Sequence, residues 1–316
     1  MNTKHIFSAL LVAAVAACAQ DATWLPANST GALSLDYKAL RAIPMVAKLI
    51  DKNGQSTGSV GIQGVSAGQM AIIKDLQKDI SKMLVAMVPG ATPTEPRAVS
   101  FVSGTFDTAQ IAAKLKADAN CTVSVKDDVT VYATKMAGKP SYTVFPSKGL
   151  IVASDNLDAL FAGLKTMQKK SPALASDSMI SRAVAKNFPL VLVADTSSFA
   201  KQGVTMPVSG GSLPSIFAFT LRAKDTAHLL ANFTGVFASE EEASQMATTL
   251  NGMKMLYAAQ LAANPEAAPL AGLLSALSVA SNGKNAIASA TIDEAMINSL
   301  SSLVPNMAAP AAAPAR

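Results

Sequence analysis

Histidine, cysteine and tryptophan are nearly missing from this chain of 316 residues, which holds two, two and one of them. His5 falls in the leader-like start, so His228 is the single imidazole left in a processed chain. Zinc and copper sites therefore lack their usual ligands. The two cysteines are Cys18 and Cys121. If Cys18 is cut away or lipidated, no internal disulfide can form, and an exported chain must then rely on its core. Charge is sparse as well, at 15% of residues with a formal net of +5. No Lys/Arg run exceeds Lys169-Lys170, and aromatics make up 5%. A nucleic-acid groove needs clustered cations and stacking faces, which sets that class aside. Half of the residues are apolar, which excludes wholesale disorder and allows two ordinary domains or one large one.

What is present begins with an export signal over residues 1–19. Lys4 gives a short positive region, Ile6–Ala17 an apolar run too short to span a bilayer, and small residues follow. Two processing readings compete. Ala17-Cys18-Ala19 before Gln20 fits ordinary A-x-A cleavage, while Val15-Ala16-Ala17-Cys18 has the form of a bacterial lipobox with Cys18 as the lipidated first residue. Both place the protein outside the cytoplasm, in the periplasm or cell envelope; the second anchors it to a membrane, the outer one being favoured by Ala19.

The most legible stretch is Arg97–Leu164. Val99–Ser103 alternates like a half-buried strand. Asp107 is placed to cap a following helix, with Gln110 at N3 and Phe106 and Ile111 spaced as a hydrophobic staple. Strands are expected at Thr122–Val125, Val129–Ala133, Tyr142–Phe145 and Leu150–Ala153, then a helix capped by Asp155-Asn156 with Leu157, Leu160, Phe161 and Leu164 inward. Upstream, Leu33–Asp36 predicts a strand, Lys38–Asp51 a helix interrupted near Pro44, and Asn53–Gly68 a loop. Met70–Val88 carries apolar residues at 3–4 spacing and predicts an amphipathic helix stopped by Pro89-Gly90.

The second half echoes the first. Leu190–Asp195 ends in Asp as Leu33–Asp36 does, and Ile287–Leu300 repeats the strand, polar cap and helix of Ile151–Leu164. Between them come a helix at Met179–Lys186, a hairpin over Ser215–Phe237, a capping box at Ser239–Glu242 opening a long helix, and an Asn282-Gly283 hairpin. An internal duplication is the reading. The expected fold class is α+β: two similar halves, each an antiparallel sheet with helices packed on one face, ferredoxin-like. The expected domains are residues 20–170 and 171–305, with an Ala/Pro tail at 306–316 expected to be disordered. The strand-Gly-x-Phe-Asp-helix pattern at Phe101–Leu115, with its hairpins and Leu150–Leu164, resembles exported bacterial proteins of uncharacterised role that carry two tandem α+β modules. The resemblance implies a fold and an envelope location, and no activity.

One catalytic pattern needs weighing. Gly64-Val65-Ser66-Ala67-Gly68 matches the G-x-S-x-G elbow, and Asp195 and His228 follow in the Ser, Asp, His order of α/β-hydrolases. Against a serine hydrolase stand hairpins in place of alternating parallel βα units and the absence of an HGGG-like oxyanion segment. Asp36 and Asp195 read as helix caps before a carboxylate pair. Asp127-Asp128 and Glu240–Glu242 read as a turn and a helix start, without calcium-loop spacing. Gly58, Gly61, Gly64 and Gly68 match no phosphate or dinucleotide fingerprint, so no cofactor and no metal is expected. The expectation is a non-enzymatic binding or scaffolding module with a protein, peptide or lipid partner in the envelope. Fourteen methionines would suit an adaptable apolar groove.

Overall fold

Whether an apolar run can be covered on one face or two decides what it becomes in this chain. The computed structural model describes residues 22–48, 79–90, 96–136, 139–197, 213–262 and 268–298. It has two compact units, Met1–Phe199 and Ala200–Arg316.

The first unit opens with β1 (Gly31–Asp36), α1 (Tyr37–Arg41), β2 (Ile80–Val88), β3 (Arg97–Gly104) and α2 (Thr108–Ala117). Four strands follow: β4 (Thr122–Lys126), β5 (Val129–Met136), β6 (Lys139–Ser147) and β7 (Leu150–Ser154). It closes with α3 (Leu157–Met167), α4 (Met179–Ala185) and β8 (Leu190–Asp195). The strand order is β8-β1-β2-β3-β7-β6-β5-β4, antiparallel at every step.

This sheet is apolar on both faces. Leu33, Met83, Val85, Val102, Ile151 and Ala153 pack with Ile111 and Leu115 of α2 on one face. The intervening residues Leu84, Ala86, Val99, Phe101 and Val152 are buried on the other face. There α3 lies so close that a Cβ on Gly163 would sit 2.6 Å from Val99 Cγ1. The one-faced, ferredoxin-like expectation is thus corrected: α2 and α3 cover opposite faces, because successive residues of β2, β3 and β7 are all apolar and neither face can be left to water. The chain order is also β2-β3-α2, then β6-β7-α3, in place of the βαββαβ series of ferredoxin-like folds.

The same physics overturns the helix expected at Met70–Val88. Residues 70–78 lie outside those described, and Ile80–Val88 is the strand β2. Met83-Leu84-Val85-Ala86 is buried without a break, as a central strand between β1 and β3 requires. Short apolar runs do not distinguish such a strand from a helix by period.

Capping follows the sequence closely. Asp107 Oδ1 accepts from Ala109 N at 2.9 Å and Gln110 N at 3.3 Å, while Phe106 and Ile111 are both buried. Asn156 caps α3 through Ala159 N and Ser178 caps α4 through Ser181 N. Pro44 opens a further helical stretch, residues 44–48, after the chain breaks at Ala42-Ile43. The break and the first-turn position are both what proline's missing N–H favours.

The second unit contains β9 (Ile216–Ala223), β10 (His228–Val236), α5 (Glu240–Ala262), α6 (Ala268–Ala276), β11 (Leu277–Asn282) and β12 (Asn285–Asp293). Its antiparallel order is β11-β12-β10-β9. Ser239 Oγ caps α5 through Glu242 N at 3.1 Å, and the Glu242 carboxylate accepts from Ala238 N, also at 3.1 Å. Phe237, Ala243, Met246 and Ala286 form the small core between this helix and the sheet.

The division between units falls later than the 170/171 expected from the polar segment Gln168–Ser178. That segment is stitched into the first unit: Leu174 N donates to Leu25 O at 2.7 Å and Ala173 bridges Pro26. Strand β8 then pairs with β1 along Gly31–Leu35.

Candidate functional site

Of the residues the sequence nominates for catalysis, Ser66 lies outside the described residues, as does the lipidation candidate Cys18. Asp195 ends β8. Its N–H donates to Thr30 O at 2.7 Å and its Oδ1 accepts from Ser197 N at 2.8 Å, so the carboxylate serves as a cap. Asp36 does the same work for α1, accepting from Ala39 N at 2.7 Å, and pairs with Lys82 at 3.3 Å. In the antiparallel β1–β8 pair these two aspartates stand at opposite ends, since Gly31 faces Ala194 and Leu35 faces Leu190. Six residue steps of extended strand separate them by roughly 20 Å, which rules out a shared carboxylate site.

His228 opens β10, and its Nδ1 lies 2.8 and 2.9 Å from the two oxygens of Asp225. Sequence reasoning passed over Asp225, although a histidine three residues after an aspartate across a turn is the signal for it. The carboxylate also accepts from Ala227 N at 2.8 Å. That backbone bond, then the His228 bond, hold its pKa below the ordinary aspartate value. Both side chains stand at the surface, where the pair closes the turn between β9 and β10.

Asp127 and Asp128 both adopt positive φ, at 50° and 59°. They form the two-residue turn of the β4–β5 hairpin, with Lys126 paired to Val129. No group of three or more His, Cys, Asp or Glu side chains able to hold a metal ion occurs among the described residues. Cys121 is half-buried beside the α2 core; burial and then the nearby Asp118 carboxylate raise its pKa, so little of it is the nucleophilic thiolate.

The feature that stands out physically is the α5–α6 hairpin. Asn251 Nδ2 donates to Val279 O at 3.2 Å and Lys254 Nζ donates to Leu277 O, so α5 runs antiparallel to β11. By Lys254 the helix has reached the first residue of that strand. Its last two turns run on past the strand. A 23-residue helix is about 34 Å long, against roughly 20 Å for a six-residue strand.

The overhanging part is uncharged and, apart from Gln260, apolar. Met255 is 71%, Leu256 58% and Tyr257 46% exposed, with Leu270 of α6 at 37%. From Met255 to Ala276 the chain carries one charge, Glu266. A helix that is hydrophobic all round belongs in an apolar environment, and here α6 supplies only part of one. A single charge within 22 residues was the signal for this in the sequence. The methionines divide accordingly: Met83 and Met246 are core residues, and Met255 is outside.

The chain is similar in fold to TP0453. Crystal form IV of TP0453 matches with a TM-score of 0.52 and 10% identity, over 90% of this chain and 96% of that one. Crystal form I gives 0.49, also at 10% identity, over 91% and 98%. At such identity the likeness to TP0453 is one of fold alone, a mixed architecture of antiparallel sheet with helices. No protein-family model and no curated protein matches the chain.

Proposed function

We propose that this is an exported cell-envelope protein without catalytic activity, a binding module that docks on a lipid surface through the α5–α6 hairpin. The observation that carries the reading is the exposure of Met255, Leu256, Tyr257 and Leu270, in a stretch whose one charge is Glu266. An isolated exposed leucine means little, but contiguous exposed apolar side chains mark interaction sites. Among the described residues no helix is long and apolar enough to cross a membrane. The hairpin therefore suits shallow, interfacial insertion, with Tyr257 at the headgroup level. A signal at residues 1–19, and lipid on Cys18 if that route is taken, would bring it to the same surface.

We also propose that the two units derive from one duplicated α+β module, which suits the scaffold side of this reading. The order β2-β3-β7-β6 in the first unit has the same connectivity as β9-β10-β12-β11 in the second. In the β1–β8 pair the equivalent residues Leu33 and Leu192 face each other directly.

Flotation with phospholipid vesicles tests the proposal on a chain made without residues 1–19, so that no acyl group contributes. The protein is expected to float. Met255→Glu combined with Leu256→Glu is expected to remain at the bottom with an unchanged circular dichroism melt. Burial of each side chain is worth about 2 kcal/mol, so the pair lowers partitioning by at least about a hundredfold. A wild-type chain that stays at the bottom overturns the reading. Labelling by a fluorophosphonate, lost in Ser66→Ala, would instead revive a serine hydrolase.

A further inference from the structure

Among the described residues no strand pair of the second unit corresponds to the β4–β5 hairpin, which sets β4 at the edge of the first unit's sheet. All five residues of β4 are exposed, Val123 at 41% and Val125 at 71%. Edge strands are ordinarily blunted by charge or proline, yet the middle of this one is Val-Ser-Val.

The register shows which backbone groups of β4 point away from β5. Lys126 and Val129 flank a two-residue turn and so form a hydrogen-bonded pair. Ser124–Val131 and Thr122–Ala133 are then hydrogen-bonded pairs too, while Val123 and Val125 face away from β5 with their N–H and C=O groups. The turn end of the hairpin lies against α3: Lys126 Nζ is 5.1 Å from the Phe161 ring centroid, and Lys165 Nζ is 4.0 Å from Asp127 Oδ2. It offers a preformed edge.

We propose that β4 pairs antiparallel with β4 of a second copy of this chain, about a two-fold axis through Ser124. The sequence Thr-Val-Ser-Val-Lys is nearly symmetric about Ser124, so a two-fold axis there sets valine against valine on both sides, as a self-complementary isologous contact favours. Centred on Ser124, Val123 exchanges both backbone hydrogen bonds with the second copy's Val125, and the reverse pair does the same. The four valines share one face of the joined sheet. Lys126 stands opposite the second copy's Thr122, so no like charges meet directly across the seam. Ser124 meets its own counterpart as a non-hydrogen-bonded pair, with Cα atoms about 4.5 Å apart.

Analytical ultracentrifugation over a concentration series, joined to cysteine cross-linking, tests this. The wild-type chain is expected to move from one chain mass to two as concentration rises. Val125→Lys is expected to associate at least tenfold more weakly with its thermal melt unchanged. Ser124→Cys is expected to cross-link under mild oxidation, its geometry being within disulfide range, and Thr122→Cys is not. Native cysteines are common to both variants, so the contrast between them reads the register. A chain that stays single at every concentration overturns the proposal and leaves the edge to a foreign strand. So does a dimer that survives Val125→Lys, or equal cross-linking at positions 122 and 124.

Discussion

Replacing Phe101 with alanine is expected to lower stability by about 4 kcal/mol, read as a shift in the midpoint of urea unfolding with the slope unchanged. The ring has no exposed surface and sits on β3, near the middle of the first unit's sheet. Trp24 packs against it with centroids 5.6 Å apart and planes inclined by 49°. A Cβ on Gly163 would meet its Cζ at 3.1 Å, so α3 closes over it with nothing larger than glycine at the contact. Truncation leaves a void that neither a strand paired on both sides nor a helix capped at Asn156 can collapse into. Phe101→Leu keeps most of the volume and is expected to cost well under half as much.

Gly149 carries the second large effect. It forms the β6–β7 turn with Lys148, has φ of +67°, and accepts from Gly104 N at 2.8 Å. A Cβ there would collide with the Gly104 carbonyl oxygen, a backbone atom fixed by that same contact. Gly149→Ala therefore combines the left-handed penalty of about 1–2 kcal/mol with the displacement of a strand end, about 3 kcal/mol together. Gly149→Val should be worse. Lys148→Ala, at the neighbouring exposed position, is expected to fall within about 0.5 kcal/mol of wild type. Equal losses in Lys148→Ala and Gly149→Ala would mean that the turn as a whole, and not the glycine, sets the cost.

Local chemistry made much of the fold legible. The Phe106, Asp107, Ile111 spacing, the Asn156 and Ser239 caps, the Asp127-Asp128 turn and the Asn282-Gly283 hairpin all act within a few residues, and each is found where the sequence places it. What failed depends on partners far away in the chain. Met83–Ala86 alternates nothing because it is covered on both faces, so its true period is invisible until β1 and β3 are known. The late end of the first unit escaped the sequence for the same reason, since β8 joins that unit by pairing with β1. At the candidate site, attention went to residues with reactive groups. Asp195 and Asp36 proved to be caps, and His228 answers to Asp225. The stretch after Lys254, with Glu266 as its one charge up to Ala276, is marked by what it omits, and a search for reactive groups does not register an omission.

Strand β1 lies between β2 and β8, with Gly31 facing Met87 on one side and Ala194 on the other. In time, that placement means waiting. At ordinary synthesis rates residue 195 follows residue 36 by roughly 8 to 30 seconds, and pairings this distant along a chain are slow to close even afterwards. Until β8 arrives, one edge of β1 stands open with Leu33 and Leu35 on it. A nascent chain of this design keeps an open strand edge for a long interval, and over that interval the edge is exposed to unwanted pairing.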